Sequence, residues 1–345
     1  MTSASSSYRP AGPDAIPPSG PQMVAEADAL KARLADASAM INTIILGQGD
    51  VVEQAIITLL AGGHAILTGL PGLGKTRLVR TLGTVFGLDT HLMPLTPDLT
   101  AADLLGSEGM EENSAGVRVL HFRPGPVFSH LLMADEINRA SPRIQSLLLQ
   151  AMQENHVSVT GQVHSLPRPF HVMATQNPLE QDGIYPLPEG QLDRFLMQIV
   201  LGYPDLASER SMLLATTGVR QPLVEPVFDA AGLLAAQALV RAVPVGETVV
   251  GAILTLVRSG RPETTTLPQV RRHVAWGPGP RASQALMLAC RARALLHGRF
   301  IPSLEDVQDL AGPVLRHRMA LTFAARAEGI DLDDIIDALC GTVDA

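Results

Sequence analysis

Cysteine is scarce in this chain: of 345 residues only Cys290 and Cys340 carry a thiol. Neither has a CxxC partner or a histidine nearby at ligand spacing, so neither a disulfide framework nor a cysteine metal site organises the fold. Both lie in stretches with helical spacing and are expected as small apolar core residues in a reducing cytoplasm. Positive charge is also in deficit. Lys and Arg number 26 against 34 Asp and Glu, for a formal net charge of -8. Proteins whose main task is to wrap nucleic acid usually show the opposite balance. A long apolar run is missing too. The richest stretch, AIITLLAGGHAILTGL (55 to 70), is broken by Gly62, Gly63 and His64, short of the ~20 residues of a membrane-spanning helix. The N-terminus lacks the basic-then-apolar order of a secretory leader. The expectation is a soluble, cytoplasmic protein with no direct membrane insertion and no internal repeat.

What is present reads as globular: 46% hydrophobic and 17% charged residues, with enough length for one large or two ordinary domains. Residues 1–23, rich in Ser, Pro, Ala and Gly, read as a disordered tail. From residue 24, AEADALKARLADASAMINTIIL has helical spacing, and a second helix follows in GDVVEQAIITLLAGG, closed by its glycines. Short apolar runs then alternate with helical segments. AILT (65 to 68), HLMPL (91 to 95), HLLMAD (130 to 135), FHVMAT (170 to 175) and FLMQIVL (195 to 201) have the length and flanks of buried strands. Strands interleaved with helices predict an α/β fold with a largely parallel sheet covered on both faces. After Ala207 the strand signal fades, and residues 208–345 read as a second, all-helical domain. The first domain is placed at 24–207.

Residues 69–76 read GLPGLGKT. Glycines at these positions let backbone amides curl around an anion, and the following helix offers free N–H groups and a favourable dipole. Lys75 can reach outer phosphates and the Thr76 hydroxyl can ligate Mg2+. A strand (AILT) precedes the loop and a helix (TRLVRTLGTVF) follows it, as the chemistry requires. The candidate nucleotide-binding residues are Gly69, Leu70, Pro71, Gly72, Leu73, Gly74, Lys75, Thr76 and Arg77. Hydrolysis needs carboxylates as well. In LLMADE (131 to 136) a strand ends in Asp135, placed to hold Mg2+, and Glu136 can polarise a water. The alternative is that Asp135 caps the next helix and Glu136 is merely solvated.

Gln176 and Asn177 end another strand, where an amide can orient the water; the alternative is a simple Asn-Pro turn. Arg194, in LPEGQLDRFL, precedes a strand and can serve a neighbouring subunit's phosphate, or else pair locally with Asp193 or Glu189. Pro280 reads as a first-turn proline, which puts Arg281 in the opening turn of a helix. A cation is electrostatically wrong there unless an anion stands opposite.

Taken in order, GLPGLGKT, LLMADEINRASPRIQSLLLQAMQE, ATQNP, LPEGQLDRF and GPRAS closely resemble the MoxR family of AAA+ ATPases, from about Asp28 to the last helices. The resemblance implies a P-loop core with a five-stranded sheet and a helical lid, and ATP with Mg2+ bound at the subunit interfaces of a homo-oligomeric ring, usually a hexamer. By the same resemblance Lys75 and Thr76 are the Walker A pair, Asp135 and Glu136 are Walker B, and Asn177 is sensor 1. Arg194 is then the arginine finger acting in trans and Arg281 sensor 2, while Gln48 lies near the adenine. Arg139, in the DEINRAS turn, is second in line for a trans contact. The second strand departs from the pattern, with Met93 and Pro94 where more polar residues are expected. That speaks against coupling between this strand and Glu136. The family often works with proteins carrying von Willebrand factor A domains, so protein remodelling or maturation is the implied activity.

Two hairpins interrupt the expected core, at 103–128 and 154–170, the second turning at Thr160-Gly161-Gln162. A DNA motor would need Lys or Arg at their tips. The first tip instead carries Glu108, Glu111 and Glu112, with Arg118 and Arg123 further on. The second has only His156 and His164 between Asn155 and Pro167. A protein surface suits these tips better than nucleic acid. The rival readings are a DNA-dependent motor or transcription activator on the same fold, and a nucleotide-switched scaffold without hydrolysis.

Overall fold

The computed structural model describes residues 20–112, 118–178, 185–217 and 223–343. The expected tail therefore lies outside the described residues over 1–19, while its last part, residues 20–23, already belongs to the first helix, α1 (Gly20–Ile44). Eleven strands occur among the described residues. They are β1 (Ala65–Gly69), β2 (Thr90–Pro94), β3 (Gly106–Glu112), β4 (Arg118–Pro124), β5 (Leu131–Asp135), β6 (His156–Val159), β7 (Gln162–Ser165), β8 (His171–Gln176), β9 (Met197–Leu201), β10 (Val274–Trp276) and β11 (Ala320–Leu321).

Five of them form one parallel sheet in the order β2-β5-β8-β1-β9. Its central strands are continuous apolar runs because helices cover both faces. The period of two then sorts each strand between two cores. Ala65 and Leu67 of β1 and Leu131 and Met133 of β5 face a large core shared with α1, α2 (Gly49–Leu60) and α3 (Lys75–Val85). Ile66, Leu132 and Ala134 face a smaller one with α4 (Ala101–Leu105) and α5 (Pro142–Glu154), around Leu148, Phe170 and Phe195. Pro94, which has no N–H to give, ends an edge strand, where that deficit costs least.

The two inserts are the antiparallel hairpins β3–β4 and β6–β7. The tip of the first, 113–117, lies outside the described residues. The second turns through Thr160 and Gly161, both at positive φ. His164 of β7 stacks on Phe122 of β4 with ring centroids 3.9 Å apart, so its ring joins the two hairpins. His156 pairs with Glu154 at 3.2 Å.

A short turn of helix, α6 (Glu189–Leu192), precedes β9, and α7 (Leu206–Thr217) follows it; the division expected after residue 207 falls inside α7. Beyond it come α8 (Ala230–Ala242), α9 (Glu247–Ser259), α10 (Pro268–His273), α11 (Pro280–Leu296), α12 (Leu304–Leu315), α13 (Phe323–Ala327) and α14 (Leu332–Cys340). This lid is helical as expected, with one addition. The antiparallel ribbon of β10 and β11 ties α10 to the segment after α12, in strands too short to show a periodicity. Cys290 is fully buried in α11, and burial pushes its thiol up from the usual range; Cys340 is only partly buried.

Two buried histidines close the end of the sheet away from the glycine loop. His64 accepts the Val172 N–H at Nδ1 (3.0 Å), which leaves Nε2 to donate to the Met152 carbonyl (3.2 Å). His171 donates from Nδ1 to the Gly63 carbonyl (2.7 Å) and accepts from Gln237 at Nε2 (3.1 Å). Both rings are thus satisfied as neutral species. Burial, reinforced by His171, pushes His64 down to about 3, and burial pushes His171 down to about 4.

Candidate nucleotide site

The glycine loop sits where the topology puts it, between the C-terminal end of central β1 and the start of α3. Gly72 and Gly74 both have φ of 85°, the left-handed region that an L side chain resists, and Gly74 is the N-cap of α3. At Gly69 a Cβ would meet the Leu201 carbonyl at 2.8 Å, so the loop can leave the sheet this close to β9 only as glycine. Lys75 Nζ donates to the Gly69 carbonyl (2.5 Å) and the Leu70 carbonyl (3.1 Å). Gln48, the N-cap of α2, is buried, and its amide reaches the Leu73 carbonyl at 3.4 Å.

A cavity of about 400 Å³ opens at this point, walled by the loop from Pro71 to Arg77 and by Asp135, Glu136, Thr175 and Asn177. Ten sequence-derived candidates therefore converge: Pro71, Gly72, Leu73, Gly74, Lys75, Thr76, Arg77, Asp135, Glu136 and Asn177. Gly69 and Leu70 stand behind the wall and hold Lys75 through their carbonyls, and Gln48 touches the loop from outside. Thr175 is the residue the sequence reading missed. Parallel pairing of β5 with β8 places it beside Asp135. Its hydroxyl donates to Asp135 Oδ1 (2.5 Å) and accepts the Glu136 N–H (2.8 Å). The signal was a polar residue at the end of an otherwise apolar strand.

Glu136 takes φ 56° and ψ 56°, a left-handed geometry that costs a residue with a side chain about 1–2 kcal/mol. The turn swings the carboxylate out of the strand line, where its Oε2 accepts from Arg139 Nη1 at 2.8 Å. Arg139 thus contacts Glu136 of its own chain. Strand β2 reaches Asp135 through the backbone, Leu95 N–H to the Asp135 carbonyl at 2.9 Å. The side-chain and backbone bonds to Glu136 come from Arg139 and Thr175.

Arg194 and Arg281 do not line the cavity. Among the described residues Arg194 makes no ion pair, with Asp193 and Glu189 included, and its Nε is buried without an acceptor. Asp193 turns instead to Arg318 at 2.7 Å, and its other oxygen lies 4.0 Å from Arg281. Pro280 does open α11. The anion that Arg281 calls for at that helix start is, in this structure, Asp193.

An oxygen-only set formed by the Thr76 hydroxyl and the Asp135 carboxylate suits a hard divalent cation. The left-handed loop with a lysine at its helix start suits a polyphosphate. Among the described residues no group of three or more His, Cys, Asp and Glu is placed to hold a metal ion, and no single helix is long and apolar enough to cross a membrane.

Comparison with known proteins agrees with this geometry. The model of the ATPase family associated with various cellular activities (AAA) matches residues 64–197, and that of the AAA lid domain matches 269–339. Chaperone MoxR1 of Mycobacterium tuberculosis is 39% identical over 88% of this chain and 80% of its own length. Protein MoxR of Paracoccus denitrificans is 30% identical over 90% and 96%. A solved Cytophaga hutchinsonii protein described as a candidate ATPase superposes with a TM-score of 0.85 at 32% identity, covering 92% of this chain and 96% of its own. A core that binds nucleotide, a helical lid and relatives matched over most of their length lead to one assignment: the chain belongs to the MoxR family of AAA ATPases, chaperone-like enzymes that hydrolyse nucleotide.

Proposed function

We propose that this ATPase binds ATP with Mg2+ in the Pro71–Arg77 cavity and hydrolyses it at the subunit interfaces of a homo-oligomeric, hexameric ring in the cytoplasm, to remodel or mature partner proteins. The observation that carries this reading is a division of labour. Lys75, Thr76, Asp135, Glu136 and Asn177 gather on one cavity, while Arg194 lies outside it with an unused Nε. A site complete but for one cation, on a chain with one such cation facing elsewhere, suits catalysis shared between neighbours.

When bound, ATP supplies the phosphoanhydride and Mg2+ spreads the charge that develops on its phosphates. Thr76 and Asp135 would hold the metal, and the loop amides, Lys75 and Arg77 the phosphates, with Gln48 beside the base and Arg281 reaching in from the lid. Thr175 fixes Asp135 by donating to it, which keeps that carboxylate aimed. Glu136 accepts the proton of the attacking water once it parts from Arg139, and Asn177 orients that water. Arg194 serves the neighbour's site. The nucleotide-binding unit runs to about residue 207, and the lid occupies 208–345.

The client surface is assigned to the hairpins. Met110 and Val163 are large, apolar and about two-thirds exposed there, features that suit a protein partner and not a phosphate backbone. Proteins with von Willebrand factor A domains are the client class that the family resemblance implies.

The test mixes two crippled variants, Glu136→Gln and Arg194→Ala. Each is expected to be nearly inactive alone, by roughly 10³-fold. Mixing should restore hydrolysis, because Glu136→Gln subunits lend Arg194 to neighbours that retain Glu136. A mixture that stays inactive although the two variants co-assemble would sink the trans role of Arg194.

A further inference from the structure

Arg318 is the largest fully buried side chain among the described residues. It belongs to the run RHRM, yet the guanidinium is inside and every one of its N–H groups is used. Nε donates to Asp193 Oδ1 at 2.7 Å. Nη1 donates to the carbonyls of Leu196 (3.0 Å) and Val314 (2.6 Å), and Nη2 to those of Asp193 (3.2 Å) and Phe195 (2.5 Å). His317 adds a bond from Nε2 to the Phe195 carbonyl at 3.0 Å.

All but one of the Arg318 acceptors thus belong to residues 193–196, the stretch that contains Arg194. Carbonyls before and after Arg194 are pinned, while among the described residues the Arg194 Nε has no acceptor. Burying a guanidinium is a poor way to add stability, since a well-packed apolar residue often does as well or better. A planar fork that meets several carbonyls at once is a good way to fix a backbone direction. The same Asp193 carboxylate approaches Arg281, at the start of α11, with its second oxygen. Both arginines belong to the lid.

We infer that Arg318 and Asp193 are positioning residues that aim Arg194 at the neighbouring subunit's nucleotide, so that each subunit's lid sets the finger it lends. The inference rests on the proposed trans role of Arg194. It also makes the lid a reporter: a shift of the lid over its own nucleotide is passed through Asp193 to the residue that serves the next site.

The experiment uses Arg318→Lys, which keeps the charge but cannot fill the fork, and Asp193→Asn, which keeps size and one acceptor oxygen. Each is assayed for ATP hydrolysis alone and mixed with Glu136→Gln, beside the Arg194→Ala with Glu136→Gln control, and thermal melting and oligomer size are followed in parallel. Alone, each variant should lose roughly 10–100-fold in kcat, the scale of a misplaced catalytic group, with KM for ATP within about twofold of the parent. Mixed with Glu136→Gln, each should recover as the control does, because its own cavity is intact and the added subunits bring a well-aimed Arg194. A mixture that stays inactive while the control recovers would show that Arg318 supports its own subunit, and would overturn the inference. So would a parent-like Asp193→Asn. If the control itself fails to recover, the trans role falls and the inference falls with it, a different result from the first. Should Arg318→Lys melt below assay temperature, the Asp193→Asn mixture decides alone.

Discussion

Charged groups flanking the sheet and the charged cluster around Asp306 in the lid follow opposite rules. Around Asp306 they are saturated. Asp306 has no exposed surface, yet it takes the Arg293 guanidinium at 2.7 Å, both arms of Arg299 and the Ser303 N–H at 2.8 Å. Burial alone would raise its pKa, but Arg299, Ser303 and Arg293 together hold it below the usual carboxylate range. Arg293 also reaches Glu53 of α2 at 3.0 Å and Asp309. Glu136, after β5, sits in a left-handed turn with its carboxylate on a half-exposed arginine, and Arg194, ahead of β9 at the other end of the sheet, has an idle Nε. Saturated pairs hold one geometry, whereas partly engaged groups can change partner when a ligand arrives. The difference separates the frame of this ATPase from its moving chemistry.

The contrast can be broken most sharply at Glu136. Glu136→Gln should lower kcat by roughly 10²–10⁴-fold and leave the melting temperature almost unchanged, as read by steady-state hydrolysis and calorimetry. Asp306→Ala should do the reverse. It strands Arg293 and Arg299 without their shared carboxylate, and denaturant unfolding should show a loss of about 3–5 kcal/mol. If Asp306→Ala melts like the parent, the lid network is decoration and the division drawn above fails.

Acid offers a third handle. His64 and His171 are neutral in the fold, with folded values near 3 and 4, so below about pH 6.5 the unfolded chain takes up protons that the folded chain refuses. Stability is therefore complete above that pH and falls steadily as pH drops toward the folded values. At pH 5 the loss should be about 2 kcal/mol per ring, and His64→Gln with His171→Gln should flatten the profile. A profile already flat between pH 7 and 5 in the parent would contradict the burial of these rings. The smallest effect belongs to Arg272→Ala. Its ion pair with Glu328, at 3.6 Å with 71% and 49% of the two side chains exposed, should be worth less than about 0.5 kcal/mol.

The sheet was legible because buried parallel strands are apolar on both faces and stop at polar residues, which also marked Asp135 and Asn177 as strand-end groups. The glycine loop was legible because its chemistry is local. What escaped was long-range. Thr175 acquires its meaning from the register of β8 against β5, which no single segment displays. Asp193 looked like a partner for its neighbour Arg194, but adjacent residues in a turn point apart, and the carboxylate met an arginine 125 positions away. Nothing in the sequence marked Arg318 as a buried anchor, because burial of a guanidinium depends on carbonyls supplied by another element. The β10–β11 ribbon was invisible for a plainer reason, having too few residues for any period.

One consequence of the Arg318 anchor concerns modularity. The chain matches two family models, a core and a lid, and invites division at α7. Yet a core cut there would leave the carbonyls of Phe195 and Leu196 without their buried donor. It would also uncover the apolar cluster that runs from α2 and β9 into α9, α11 and α12. Core and lid are two names along the sequence but one cooperative unit in the fold, and the lid should unfold with the sheet.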